Sequence, residues 1–205
     1  MASYAATFDI APPPKFDRVH IAIRVLIIIV LGILGGVIGW LYGAVYLGVP
    51  VAAAILISQR GAQRYLAEAN DNMTKWLRYL LAFYAYMGLL TDRLPNEEPK
   101  ETLRFEVQTG GSPTAGSTLL RIILAIPSAF VLGLLGIVAG ILILFAAIMI
   151  LIQETYPEGV YNFLRGVMRW EARLLAYVAS LVDEYPPFAL DMQSEGTAPA
   201  PPSAG

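Results

Sequence analysis

The chain has 205 residues, 57% hydrophobic and 15% charged, with a net charge of -2 at pH 7 and a mean hydropathy of +0.59. It is more apolar than an ordinary soluble domain, and without a basic stripe it has no electrostatic footprint for nucleic acid. The absence of cysteine excludes disulfides, thiolate zinc sites and thiol nucleophiles together.

In chain order, residues 6–10 alternate apolar and polar side chains and predict a short extended piece, which Pro12-Pro13-Pro14 terminates. Residues 25–58 then form a block of 34 without a charge. The N-terminus before it lacks the basic region and short apolar core of a cleavable signal, so this block is expected to act as its own insertion signal. Residues 66–90 have the periodicity of an amphipathic helix and close on Asp92 and Pro95. A second extended piece is predicted over 102–109, followed by the breakers Gly110-Gly111-Ser112-Pro113. Residues 122–152 are a second uncharged block, of 31, and residues 160–182 a second amphipathic helix. At its end Asp183 pairs with an arginine or caps the turn, while Pro186 and Pro187 act as a structural stop because they cannot continue a helix. Residues 189–205, ending in a run dominated by Ala, Pro, Ser and Gly, are expected to form a disordered tail.

The order of these elements repeats, and so do individual residues. Phe8-Asp9-Ile10 matches Phe105-Glu106-Val107 at a separation of 97, which also takes Arg24 to Arg121 and Gly36, Gly39 and Gly43 to Gly133, Gly136 and Gly140. The separation becomes 94 for Gln59 and Gln153, Trp76 and Trp170, and Leu80-Leu81-Ala82-Phe83 and Leu174-Leu175-Ala176-Tyr177. It is 91 for Asp92 and Asp183 and for Pro95 and Pro186. An ordered series of this kind indicates an internal duplication, with a first unit over 6–99 and a second over 102–188.

The expected fold class is therefore an all-α integral membrane protein. It would be a tandem duplication of a hydrophobic helical hairpin plus an interfacial amphipathic helix, with short extended segments that can pair into a cap. As straight helices the blocks would be about 46–51 Å long, against a hydrocarbon core of about 30 Å. Hairpins at 25–58 and 122–152 put all 14 Lys and Arg residues, and both termini, on the cytoplasmic side; single spans would divide the basic residues between the two sides. Gly48-Val49-Pro50 offers a turn for the first hairpin. Gly36, Gly39 and Gly43, like Gly133, Gly136 and Gly140, fall on one helix face, where small residues allow close backbone approach in lipid, either within the monomer or at a dimer face.

On the second amphipathic helix Arg165, Arg169 and Arg173 recur every four residues, opposite Leu164, Val167, Leu174, Val178 and Leu181. In the interfacial reading these guanidinium groups meet lipid phosphates while Trp170 and Tyr177 sit in the headgroup layer. A core helix with a solvated, salt-bridged face is the other reading. Trp76 and Arg78 offer the same mixture in the first unit. His20 is the only histidine, and no phosphate loop, dinucleotide fingerprint or nucleophile elbow occurs, so no catalytic site, metal or cofactor is expected. The uncharged blocks also weigh against ion-coupled transport.

The segments Tyr156-Pro157-Glu158-Gly159-Val160-Tyr161-Asn162-Phe163, Arg169-Trp170, Arg173, Ala176-Tyr177 and Asp183-Glu184-Tyr185-Pro186-Pro187-Phe188, with Arg121 and Ile126-Pro127 before them, resemble a bacterial membrane-protein family, the domain of unknown function 4389. The first unit keeps Arg24, Trp76, Arg78, Asp92 and Pro95 but lacks the Tyr-Pro and Pro-Pro-Phe elements, as a degenerate copy would. The resemblance implies a bacterial membrane protein and transfers no activity; with the hairpins, a multi-pass protein of the bacterial inner membrane is expected. The expected function is a non-enzymatic scaffold or accessory subunit that organises lipids or a larger membrane complex. Its partners would be membrane lipids, a larger protein complex or further copies of itself. A small transporter or channel is one alternative, and a lipid-modifying enzyme using Arg173, Tyr177 and Asp183 is another.

Overall fold

Alternation at the two extended pieces yields two strands, β1 (Ala6–Asp9) and β2 (Arg104–Val107). The structure is a computed structural model that describes residues 4–35, 38–69, 72–95 and 103–190, and within them the side chains outside 31–42. Side chains two apart in a strand share a face. Accordingly Tyr4, Ala6, Phe8 and Ile10, and Leu103, Phe105 and Val107 opposite them, are buried. The strands pair antiparallel with Phe8 facing Phe105. A two-stranded ribbon is marginal alone; here β1 is laid against the helix α7 (Glu158–Val178).

The second uncharged block does not fold as the expected hairpin of two short spans. In the second block one helix, α6 (Ile126–Gln153), runs almost the whole length, preceded by α5 (Ala115–Leu124) with only Ala125 between them. Pro127 stands in the first turn of α6, where its missing amide hydrogen and fixed φ are tolerated, so it marks a helix start rather than a reversal of the chain. In the first block, α1 (Arg18–Gly35) and α2 (Ile38–Arg60) divide near the middle, and Gly48-Val49-Pro50 lies inside α2 instead of at a turn. Asp17 starts α1 by accepting the Val19 amide on Oδ1 at 2.9 Å, and Thr114 starts α5 through a capping box with Ser117.

The long helices associate across the two halves of the chain. α2 packs along α5, where the small, buried Ala53 and Ala54 permit close approach. The start of α1 is tied to the end of α6: Arg18 donates to the Ile152 carbonyl at 3.2 Å, and Lys15 and Arg18 both pair with Glu154. These cations hold the Glu154 carboxyl below its ordinary range. Only a narrow stripe of α6, Ser128, Leu132, Ala139, Ala146 and Ile150, is buried. Both α6 and the Gly43–Arg60 stretch of α2 are long and apolar enough to cross a membrane.

The first amphipathic helix is interrupted into α3 (Ala62–Ala67) and α4 (Met73–Met87), with Glu68 at the break paired to Arg60 and Arg64. The second is the single helix α7, and it occupies the middle of the fold, against β1, α2, α4, α5 and α6. Every residue from 166 to 178 is buried. Within the fold α7 is thus a core helix rather than an interfacial one: its arginines reach Asp9, Asn162 and the carbonyls of Phe8 and Ala189. α4 and α7 end alike. Leu89 and Ser180 take left-handed conformations (φ 60° and 55°), and the amides of Leu90 and Leu181 reach back to the carbonyls of Ala85 and Ala176, closing a Schellman turn. Of the expected tail, Ala189 and Leu190 are folded back, and Leu190 meets Gly166; residues 191–205, the 96–102 junction between the units, and Gly36 lie outside the described residues.

Candidate functional site

Two buried arginines organise the helix ends. Arg24, on α1, is 4% exposed and Arg121, on α5, is 6% exposed. Arg24 donates from Nε to the Tyr86 carbonyl (2.7 Å) and from Nη2 to the Thr91 carbonyl (2.6 Å) and Asp92 Oδ1 (2.9 Å). Arg121 donates from Nη1 to the carbonyls of Tyr177 (2.8 Å) and Val182, and from Nη2 to Asp183 Oδ1 (2.6 Å). Each guanidinium also lies over a tyrosine ring, Tyr86 at 4.3 Å and Tyr177 at 4.7 Å. The physical reason is common to both. The last carbonyls of a helix lack intrahelical partners and carry the negative end of its dipole, and a planar fork of donors serves them together with a carboxylate.

The carboxylates are anchored in turn. Asp92 Oδ2 accepts the Asp17 amide at 2.7 Å, so the start of α1 and the end of α4 share one side chain. Asp183 presses against Gly111, whose φ is +92° and where a Cβ would overlap the carboxylate. Gly111→Ala is therefore expected to cost about 2–4 kcal/mol through left-handed strain and displacement of Asp183 from Arg121. Gly110, where a Cβ meets nothing within 4 Å, is the control in thermal unfolding of the detergent-solubilised protein.

A second pair of arginines holds the strands. Arg78 donates from Nε to the Phe105 carbonyl (3.0 Å), and Arg169 donates from Nε to the Phe8 carbonyl (3.2 Å) and from Nη2 to Asp9 (2.6 Å). Each therefore reaches the strand of the other half of the chain. Arg165 lies 3.7 Å from Asp9, and Arg173 donates to the Ala189 carbonyl at 3.1 Å. Trp170 is buried against Phe188, with ring centroids 5.1 Å apart, and Tyr177 against Tyr185 at 5.3 Å. Ser128 and the Tyr185 hydroxyl share a 2.6 Å hydrogen bond, which joins the closing Tyr-Pro-Pro-Phe segment to α6. Buried tyrosines act as fixed donors: burial pushes the hydroxyls of Tyr4, Tyr65 and Tyr161 well up, and they donate to the carbonyls of Glu184, Ala179 and Ile10.

Of the residues expected to contact headgroups, Arg169, Trp170, Arg173 and Tyr177 are thus internal, Arg78 and Arg165 are half-buried, and Trp76, 77% exposed, alone stands fully at the surface. Asp183 is paired with Arg121, and Pro186 and Pro187 turn the chain back onto α7. The glycines do not serve packing within the chain: a Cβ at Gly43, Gly133, Gly136 or Gly140 meets nothing within 4 Å, because these positions lie on the open side of their helices, and Gly39 falls where side chains are not described. Arg121 draws Tyr177 and Asp183 together, while Arg173 bonds the Ala189 carbonyl. The sequence marks Arg24 and Arg121 as matching positions and as part of the family pattern, and their recurrence just before each uncharged block, with an aspartate after each amphipathic helix, is the signal of the clamps. Gly111 and Gly166 carried none, since their need arises from segments distant in sequence.

Residues 116–189 match the family model described as Domain of unknown function (DUF4389), which places a domain of unknown function in the second half of the chain. The matched stretch contains one complete clamp, from Arg121 to Asp183, together with α6, α7 and the closing Tyr-Pro-Pro-Phe. No curated protein and no solved structure matches the chain.

Proposed function

We propose that this chain is a non-enzymatic scaffold or accessory subunit embedded in the bacterial inner membrane, built from two copies of one unit, that organises lipids or a larger membrane complex. The observation that carries the reading is the open side of α6. Phe130, Leu134, Ile137, Ile141, Leu144 and Ile152 along it are each more than half exposed, and α1 and α5 continue the apolar surface with Val25, Leu26, Leu120 and Ile123. Contiguous apolar surface of this extent is foreign to a soluble monomer; lipid or a partner helix covers it. The duplication is supported by the two arginine clamps, the two left-handed helix ends and the reciprocal Arg-to-Phe carbonyl bonds.

The arginines support a structural role in the same way. Arg24, Arg121 and Arg169 each bond backbone carbonyls and an aspartate of this chain, which rigidifies a frame beneath an apolar shell. Gentle extraction followed by identification of co-purified lipids and proteins tests the reading. It predicts carbonate-resistant membrane association and retention of specific lipids or of a stable partner. A purified chain that by itself turns over a substrate or conducts ions would overturn it.

A further inference from the structure

α4 and α7 make matching contacts at a constant separation of 91: Arg78 and Arg169 each donate to a strand phenylalanine carbonyl, and the carbonyls of Tyr86 and Tyr177 each accept from a clamp arginine. In that register Lys75 corresponds to Gly166 and Tyr79 to Trp170, which also replaces the separation of 94 read for Trp76 and Trp170 from sequence alone. The α7 face at Gly166 and Trp170 is covered by the chain's own Leu190 and Phe188. On the corresponding face of α4, Lys75, Trp76 and Tyr79 are exposed. Together with α2 this face bounds a groove of about 940 Å³, within the size range of small-molecule sites, roughly 300–1,000 Å³. Ala44, Gly48 and Ala52, one turn apart, form its floor, and Trp76, Tyr79 and Leu80 line the α4 wall.

We infer that this groove seats an acyl chain of an anionic phospholipid, with the Lys75 ammonium receiving the phosphate; the inference rests on the membrane reading given above. Among the described lining residues Lys75 carries the formal charge, so an apolar trough with a cationic rim meets an apolar tail with an anionic head. Trp76, 77% exposed, has the amphipathic ring that favours the headgroup level. In the second half of the chain Phe188 and Leu190 close the corresponding face with protein.

The test uses the full chain in detergent micelles titrated with phosphatidylglycerol or phosphatidylcholine brominated on the acyl chain, with tryptophan fluorescence as the readout. Saturable quenching that favours phosphatidylglycerol is expected, and it is lost in Trp76→Phe. A Cβ at Gly48 meets nothing within 4 Å, so Gly48→Leu fills the trough without strain and abolishes the saturable component. Lys75→Gln, at an exposed position, weakens phosphatidylglycerol about fivefold and brings the two lipids level. Quenching that rises linearly with lipid fraction, equal for both lipids and unchanged in Gly48→Leu and Lys75→Gln, would overturn the site, as would crosslinking of the groove to a polypeptide instead. Either outcome leaves carbonate-resistant membrane association intact, whereas failure of the membrane reading abolishes that association too.

Discussion

Replacing Arg121 with methionine is expected to destabilise the protein by about 3–5 kcal/mol, the cost of removing one partner from a buried charge network. The magnitude comes chiefly from the carbonyls. The Arg121 side chain is 8% exposed but that of Asp183 is 52% exposed, so the carboxylate can be rehydrated and its Coulombic share is screened. The Val182 carbonyl, which bonds Arg121 in the buried region, loses its donor at about 1–3 kcal/mol, while the Tyr177 carbonyl loses the guanidinium and keeps the Ser180 amide. Asp183→Asn should therefore cost less, about 1 kcal/mol. Arg121→Lys should fall between, since a point charge cannot reproduce the fork. Denaturant or thermal unfolding in detergent ranks the three. A methionine variant within about 0.5 kcal/mol of the parent, the range of an ordinary surface substitution, would show that the clamp does not hold the end of α7.

Ile141→Asp is expected to reduce membrane insertion of α6 by about 2.5–3.5 kcal/mol, the cost of a charge near the centre of a membrane helix. Ile141 is 67% exposed and sits between the buried Ala139 and Ala146 stripe positions, so the aspartate would face whatever surrounds the molecule without disturbing the core. In water the same change on an exposed face would be close to neutral. An insertion assay or carbonate-resistant fraction separates these cases, with Thr7→Asp on the exposed side of β1 as the variant that should change neither.

Where local chemistry decides structure, the sequence was readable. The alternation around Phe8 and Phe105 made strands, and Pro186-Pro187 turned the chain after α7. The uncharged blocks were legible as apolar helices but not in their path. A block hydrophobic on every side has no period that distinguishes a hairpin from one long helix, and Pro127 reads the same whether it begins a helix or breaks one. The position of α7 was illegible for a different reason. Arg165, Arg169 and Arg173 look solvated because their acceptors, strand and chain-end carbonyls and Asp9, are scattered through the sequence. Once those acceptors are supplied, burying an arginine no longer leaves an unpaired charge, and the aromatic residues beside it become core. The open groove beside Trp76 was hidden likewise, since it exists through a contrast between two helices whose correct register emerges only from matching contacts.

In the proposed membrane setting the open side of α6 meets lipid. Because the chain has no cysteine, a thiol introduced at Ile137, Ile141 or Leu144 is unique, and its accessibility in native membranes can be read with paired lipid-soluble and membrane-impermeant maleimides. Labelling by the lipid-soluble reagent alone at all three positions, with Glu106→Cys open to an aqueous reagent after permeabilisation, is the predicted result. Ready modification of the α6 thiols by the aqueous reagent in those same permeabilised membranes, at a rate matching Glu106→Cys, would contradict the account.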